Sequence, residues 1–170
     1  MHIHSTPLYG NSTDLMYYYA TVYIGSHRQP QTLIVDTGSS VAAVPCKEYC
    51  EGPTSCGNHI NNLYQTKSST SFMLYDCNKV SCQCVEHSKC RFYQGYAEGS
   101  RYDGYVVRDQ IYFGENYHYG RDAFEYTFGC AKLETNYFYT QDADGILGLS
   151  QEKPKTNQNR FEPIYDAMLE

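Results

Sequence analysis

Residues 33–45 read LIVDTGSSVAAVP, a stretch that places a single carboxylate between two apolar runs. Each apolar run predicts a strand in a protein core. An ionised carboxylate at such a position is costly unless hydrogen bonds satisfy it. Gly38 permits a turn that brings backbone N–H groups to the Asp36 carboxylate, and Thr37 and Ser39 supply hydroxyl groups. The plainer interpretation is a turn at a strand end, where Asp-x-Gly is common, but the apolar runs on both sides favour a functional carboxylate.

The rest of the chain favours strands over helices. The 170 residues include 19 tyrosines and 7 phenylalanines, and aromatic residues at this density are typical of strands. Strand patterning covers residues 17–24, 31–35, 41–44, 92–95, 104–107, 111–113, 124–130 and 145–149. Helical periodicity is confined to the last ten residues, with Pro163 in the first helical turn. Residues 1–16 form an N-terminal arm, and we expect its first 14 residues to be poorly ordered.

The charge balance excludes nucleic acid as a partner. Lys and Arg number 13 against 19 Asp and Glu, which gives a net charge of −6, and no basic patch is present to release phosphate counterions. Hydrophobic residues make up 41% of the chain, enough for a core without a metal or a partner. No segment of the sequence is long and apolar enough to span a membrane.

Cysteine is concentrated in one stretch, residues 46–90, which is otherwise rich in Asn, Ser, Gly and Lys. This stretch has too few apolar residues to pack alone, so it predicts an insert held by disulfides. The pairing stays open, although we expect Cys130 to pair with one cysteine of the insert. Structural zinc is the alternative, and the lack of regular paired CxxC knuckles disfavours it. The eight candidates are Cys46, Cys50, Cys56, Cys77, Cys82, Cys84, Cys90 and Cys130.

Eight cysteines in a chain of this length are typical of an oxidising compartment. Asn11 also begins an Asn-Ser-Thr glycosylation sequon. The N-terminus nevertheless lacks the apolar segment of a secretory leader. We therefore expect a leader upstream, and we expect the chain to be a fragment of a protein of the secretory pathway, the endolysosomal system or the cell exterior. A membrane anchor, if the protein has one, would lie beyond residue 170.

Five separated stretches resemble the pepsin family of aspartic proteases, in the order that this family requires. They are residues 18–25 (YYATVYIG), 33–45, 94–104 (QGYAEGSRYDG), 144–149 (DGILGL) and 162–169 (EPIYDAML). They resemble, in turn, the N-terminal strand, the first active-site motif, the flap hairpin, the strand that crosses behind the catalytic loop, and the helix that follows. The cysteine-rich insert resembles that of the nepenthesin and plasmepsin V branch.

The resemblance implies an all-β fold, with residues 17–170 forming a single lobe of a bilobal pepsin-like acid protease barrel. It implies an aspartic endopeptidase in which two carboxylates hold and activate a water molecule, and Asp36 is one of the two. By the same resemblance, Thr37 would bond to the other lobe and Ser39 would brace the outer oxygen of Asp36. No organic cofactor or metal is implied, and the His2-x-His4 pair in the arm is discounted as a metal site.

The flap assignment also follows from the resemblance. Tyr96 would close over the substrate and exclude water, and Gly99 and Ser100 fall on the Gly-Ser pair of the flap tip. Ala43, however, stands where the family has a tryptophan, so Tyr96 lacks its usual indole partner.

A second Asp-Thr/Ser-Gly motif is missing from the sequence. The aspartates at Asp103-Gly104 and Asp144-Gly145 are assigned to turns. The partner aspartate is therefore expected in a C-terminal lobe that this chain does not contain, and we predict that the isolated chain is inactive. Its expected partners are that lobe and a polypeptide substrate. Three alternatives stay open: a catalytically dead pepsin-like binding module, a retroviral-type homodimer with two copies of Asp36, and a disulfide-rich adhesion domain.

Overall fold

A computed structural model describes residues 5–11, 13–14, 16–52, 54–114, 123–151 and 161–169. Their regular structure consists of ten strands, two short α-helices and two 3₁₀ helices, Thr66–Ser68 and Glu86–Ser88. The strands are β1 (Leu8–Asn11), β2 (Tyr17–Ile24), β3 (Gln29–Asp36), β4 (Ala42–Pro45), β5 (Met73–Leu74), β6 (Cys84–Val85), β7 (Lys89–Gly95), β8 (Arg101–Phe113), β9 (Ala123–Thr135) and β10 (Gly145–Gly148). The α-helices are α1 (Tyr137–Thr140) and α2 (Ile164–Ala167). The predicted all-β fold is confirmed.

The strands pair in the order β1-β2-β3-β10-β4-β9-β8-β7-β6, and β5 pairs with β8. β2 also pairs with the far end of β8, so that the sheet folds back on itself. β10 lies between β3 and β4, parallel to the first and antiparallel to the second. This arrangement inserts a late segment of the chain beside the strand that ends at Asp36.

Two apolar clusters pack against this sheet. β2 alternates between buried and more exposed residues along its second half, as expected of a strand with one face on a core. The first cluster includes Val22, Leu33, Val107, Phe128 and Leu147. The second includes Val41, Phe92, Tyr102, Val106 and Phe138. Burial of one such side chain contributes about 1.5–3 kcal/mol, and the insert adds to these clusters through Cys46, Tyr64 and Cys90, which are fully buried.

The insert is cross-linked as predicted. All eight cysteines form disulfides, Cys46–Cys130, Cys50–Cys56, Cys77–Cys84 and Cys82–Cys90. The expected pairing of Cys130 with an insert cysteine is confirmed, and the zinc alternative is wrong because no thiolate is left to bind a metal. Three of the bridges close short loops within the insert, and the fourth ties it to β9.

The expectation of poor order in the first 14 residues is wrong for Leu8–Asn11. This segment forms β1, which pairs with β2 in the register Leu8↔Ala20. The rings of Tyr9 and Tyr19 also stack, with centroids 5.8 Å apart. The edge of β2 supplies backbone partners that a pattern of polar residues does not reveal.

Other boundaries differ from the predicted ones by a few residues. β3 begins at Gln29, two residues before the predicted strand at 31–35, and includes Pro30. Pro30 lies opposite Tyr23 of β2, and the other edge of β3 is unpaired at this position because β10 pairs with β3 only from Leu33 onwards. The two predicted strands at 104–107 and 111–113 form a single strand, β8. The helix at the end starts after Pro163, and His2, His4 and Ser12 of the sequon lie outside the described residues.

Candidate active site

Asp36 is the last residue of β3, and the neighbouring strand fixes the turn that follows it. Gly148 of β10 lies opposite Asp36 in the parallel register. The N–H of Leu149 donates to the Asp36 carbonyl at 2.7 Å, and that of Ser150 donates to the Ser39 carbonyl at 2.8 Å. The N–H of Gly38 donates to Asp36 Oδ1 at 2.8 Å. The sequence-based expectation that the turn brings an N–H group to the carboxylate is therefore met by the geometry.

The crossing of β10 behind this turn requires glycine. A Cβ atom at Gly148 would lie 2.5 Å from the Val41 nitrogen and 2.6 Å from the Ser39 carbonyl oxygen. Backbone atoms cannot move aside as the end of a side chain can. This close approach explains the glycine in the DGILGL stretch.

The turn presents its first residues to solvent. Asp36 is half-buried, and Thr37 and Gly38 are exposed. Ser39 is buried, with 8% of its surface exposed. A half-buried carboxylate held by one backbone N–H stays accessible to water, as acid–base chemistry requires.

The flap residues form the tip of the β7–β8 hairpin. The N–H of Gly99 donates to the Tyr96 carbonyl at 3.0 Å, and that of Tyr96 donates to the Ser100 carbonyl at 2.9 Å. Gly99 has φ +94°, a conformation that glycine adopts without the penalty that a Cβ brings. The turn aims Tyr96 back at the Asp36 loop, where its hydroxyl donates to Ser39 Oγ at 3.5 Å.

Tyr96 is a neutral hydrogen-bond donor. Burial raises the pKa of Tyr96 well above its ordinary value, and the charge of Asp36 raises it further, although the hydrogen bond to Ser39 opposes both. The contact of Ser39 is thus with the flap tyrosine. The bracing of Asp36 by Ser39 and the bond from Thr37 to another lobe stay predictions.

One residue of this site escaped the sequence analysis. Phe138 of α1 packs edge-to-face against the Tyr96 ring, with centroids 5.0 Å apart. It also stacks on Tyr102 at 4.1 Å. Ala43, which stands at the tryptophan position, is fully buried in the same apolar cluster. The flap tyrosine therefore has an aromatic partner from a different element, and nothing in the sequence around residue 138 marks it.

Asp103, Asp144 and Asn11, which the sequence analysis also considered, form hydrogen bonds or ion pairs with other residues of the fold. Asp103 pairs with Arg91 across two strands at 2.7 Å. Asp144 is buried and accepts hydrogen bonds from the Asn61 N–H and the Thr32 N–H. Asn11 is half-buried, and its side-chain oxygen accepts a bond from the N–H of residue 14 at 2.7 Å.

The part of the chain that the structure describes holds neither a metal-binding cluster nor a membrane-spanning helix. Within those residues, no group of three His, Cys, Asp or Glu side chains is arranged to hold a metal ion. No helix among them is long and apolar enough to cross a membrane.

Comparison with known proteins identifies the family. Residues 18–158 match the family described as Xylanase inhibitor N-terminal. This chain belongs to that family, as an N-terminal lobe of the pepsin-like aspartic proteases. Plasmepsin V of Plasmodium falciparum (isolate 3D7) is 37% identical over 152 residues, which are 86% of this chain and 25% of that protein. Aspartic protease 5 of Toxoplasma gondii is 32% identical over 161 residues, 84% of this chain and 16% of that protein.

Nepenthesin-1 of Nepenthes gracilis is 27% identical over 140 residues, 79% of this chain and 30% of the plant protein. The pepsin-like lobe thus spans a third or less of each of these relatives. The expected similarity to the nepenthesin and plasmepsin V branch is confirmed.

Proposed function

We propose that this lobe belongs to an aspartic endopeptidase and supplies Asp36 as one of its two catalytic carboxylates. The observation that carries the proposal is the position of Asp36, in a turn fixed by β10 and faced by Tyr96 of the flap. The names of the relatives, which are aspartic proteases, support the same reaction class.

The chemistry needs a second carboxylate. Two carboxylates close together share one proton and hold a water molecule between them. One accepts a proton from the water as it attacks the peptide carbonyl carbon, and the other protonates the carbonyl oxygen, without a covalent intermediate. Asp36 Oδ1 already accepts the Gly38 N–H, so we assign Oδ2 to the water. Tyr96, a neutral donor, covers the substrate.

We propose that the second carboxylate lies in a C-terminal lobe that packs beside β1 and α2. An apolar groove of about 310 Å³ opens there. It is lined by Ser5, Thr6, Leu8, Ala20, Val35, Phe113, Leu147, Leu149, Ile164, Tyr165 and Met168. Leu8 and Leu169 at this end are 57% and 84% exposed. Without the other lobe, this chain would have half of the dyad and no activity.

Four disulfides indicate an oxidising compartment. Within that range we propose the secretory pathway, an endolysosomal compartment or the cell exterior, where polypeptides would be the substrates.

The test is peptide cleavage by a protein that extends through the second lobe. Asp36→Asn keeps the shape of the side chain and removes its charge, and we expect it to lower kcat by about 10²–10⁴-fold or more. Glu51→Gln, at an exposed position of the insert, is the matched control and should retain full activity. Equal activity of the Asp36→Asn and wild-type proteins would refute the assignment of Asp36.

The second candidate is a binding module without catalysis. The family description names inhibitors, and an inhibitor acts by binding. The sequence beyond residue 170 discriminates between the two functions: a second Asp-Thr/Ser-Gly favours the protease. Its absence, with no cleavage by the wild-type protein, favours the binding module.

A further inference from the structure

Residues 57–61 of the insert, here called the brace, are bound to residues 134–144 by main-chain and side-chain hydrogen bonds. The Gly57 N–H donates to Glu134 Oε2 at 2.8 Å, and the Ile60 N–H donates to the Asp142 carbonyl at 2.9 Å. Asn61 donates to Asp144 through both its main-chain and its side-chain nitrogen, each at 2.7 Å. Residues 134–144 include α1, whose Phe138 supports the flap tyrosine.

His59 is the central side chain of the brace. Its ring and the Glu134 carboxylate are both fully buried, with Nε2 2.8 Å from Oε2. Its other nitrogen, Nδ1, lies 3.0 Å from the Gln141 carbonyl oxygen. A carbonyl oxygen and an ionised carboxylate are both acceptors, so an imidazole ring that bonds to both donates from both of its nitrogens. A ring that donates from both nitrogens is protonated. The pair is therefore an imidazolium bound to a carboxylate.

The segment that His59 clamps is joined to the base of the flap. Glu134 precedes α1 and Gln141 follows it, so the ring of His59 bonds to both sides of the helix. The Tyr137 N–H at the start of α1 donates to Ser100 Oγ at 3.2 Å. The Arg101 N–H donates to Thr135 Oγ1 at 3.1 Å. A displacement of α1 would thus reach the flap through these two bonds and through Phe138.

We propose that His59 is a positioning residue for the flap: it holds α1 through Glu134 and Gln141, and α1 holds Tyr96 over Asp36. The effect of His59 on catalysis rests on the proposed function. The physical coupling between His59 and the flap does not depend on that function. A glycine supports the arrangement, because a Cβ at Gly57 would lie 2.8 Å from His59 Nε2.

Loss of His59 would leave a buried charge. Glu134 is 2% exposed, and its Oε1 has no hydrogen-bond partner among the described residues. Without the imidazolium, the Gly57 N–H would be the remaining donor to this carboxylate in the described structure. A buried carboxylate stripped of its cation is strongly unfavourable, so the segment would open to admit water.

The geometry also predicts the sign of a pH effect. Glu134 of β9 and Asp144 before β10 face His59, and the neutral Tyr102 of β8 lies near Glu134. Burial lowers the pKa of His59, but the hydrogen bond to Glu134 and the charges of Glu134 and Asp144 outweigh it and raise the pKa above its ordinary value. The contribution to stability is therefore complete below the unfolded pKa of about 6.5. It is lost as the pH rises through the higher folded pKa.

Amide hydrogen exchange on the 170-residue chain tests the proposal without any need for catalysis. His59→Gln keeps a donor of similar reach but removes the charge. We expect exchange about ten- to a hundredfold faster at Arg101 and Tyr137, with little change at Val107 of β8. His27→Gln, at an exposed histidine, is the control and should change none of these rates.

A pH series separates positioning from a general loss of stability. After correction for intrinsic exchange, the wild type should lose protection at Arg101 and Tyr137 as the pH rises above about 6.5, and His59→Gln should show no such selective change. Loss of protection spread evenly over the chain, or no change at the flap, would overturn the proposal. If His59→Gln fails to fold, the wild-type series alone decides. A failure here would leave the assignment of Asp36 intact, because cleavage by the two-lobed protein tests that separately.

Discussion

The strands around Asp36 and the insert at residues 46–90 are held together in different ways. The framework of β2, β3, β8, β9 and β10 is fixed by ladder hydrogen bonds and two buried apolar clusters. The insert has two strands of only two residues each within it, β5 and β6. It depends on disulfides and on polar contacts such as that between Glu48 and Thr66. The comparison teaches that one lobe can combine a framework of long paired strands with a segment that depends mainly on disulfides and polar contacts and reaches the core through a few buried residues such as Tyr64.

The largest expected effect comes from the one disulfide that joins the two regions. Cys46–Cys130 spans 84 residues, whereas Cys50–Cys56 spans 6 within the insert. By the chain-entropy relation, the double change Cys46→Ala/Cys130→Ala should lower the free energy of unfolding by about 4.5 kcal/mol. Cys50→Ala/Cys56→Ala should lower it by about 2 kcal/mol. Denaturant unfolding of both variants measures the difference, and equal losses would show that loop length does not set the contribution.

Glycine substitutions test the same comparison, because the glycines of the two regions differ in the space around them. A Cβ at Gly145 in β10 would collide with the Ala43 carbonyl, whereas one at Gly52 in the insert meets nothing within 4 Å. Gly145→Ala should therefore destabilise the fold by about 3 kcal/mol. Gly52→Ala should cost about 1 kcal/mol, for its φ of +86° alone. The unfolding midpoints of the two variants test this prediction. A larger loss of stability for Gly52→Ala than for Gly145→Ala would show that the insert is more tightly constrained than the framework.

The framework was predictable because its pattern is local. The predicted strand at 17–24 coincides with β2, since apolar residues there alternate along one chain segment. Gly148 could be placed behind the Asp36 turn because the stretch DGILGL resembles a strand of the pepsin family. β1 was not predicted, because Leu8–Asn11 becomes a strand only through the free edge of β2.

Contacts between distant residues account for what the sequence could not show. His59 and Glu134 are 75 residues apart, and each looks like an ordinary surface residue when read alone. Phe138 lies in a helix of 4 residues, too short to produce a periodic pattern. Its role beside Tyr96 depends on where the brace holds α1. The disulfide pairing is likewise a property of the folded chain.

A polar contact inside the insert should respond to pH with a smaller effect. Glu48 accepts hydrogen bonds from the Thr66 N–H at 2.9 Å and the Thr66 hydroxyl at 3.0 Å. Burial raises the pKa of Glu48, but these bonds outweigh burial and lower the pKa below its ordinary value. Its stability contribution is therefore present above the unfolded pKa and lost as the pH falls through the folded one.

Glu48→Gln should cost about 1 kcal/mol at neutral pH, similar to the loss of a helix cap. The difference from the wild type should shrink as the pH falls through the lowered pKa of Glu48. Unfolding at several pH values measures it, with Glu51→Gln at an exposed insert position as the control. A difference that persists in acid would show that shape, and not charge, explains the effect.

The smallest expected effect belongs to an ion pair between β7 and the framework strand β8. Arg91 of β7 and Asp103 of β8 meet across the strands, with Nη2 2.7 Å from Oδ2 and Nε 3.3 Å from Oδ1. The two side chains are 31% and 18% exposed, so solvent screens their attraction. A double-mutant cycle with Arg91→Gln and Asp103→Asn should give a coupling energy of about 0.5 kcal/mol that shrinks as salt is added. A coupling of several kcal/mol would mean that the framework, like the insert, depends on polar contacts, and the contrast between the two regions would then fail.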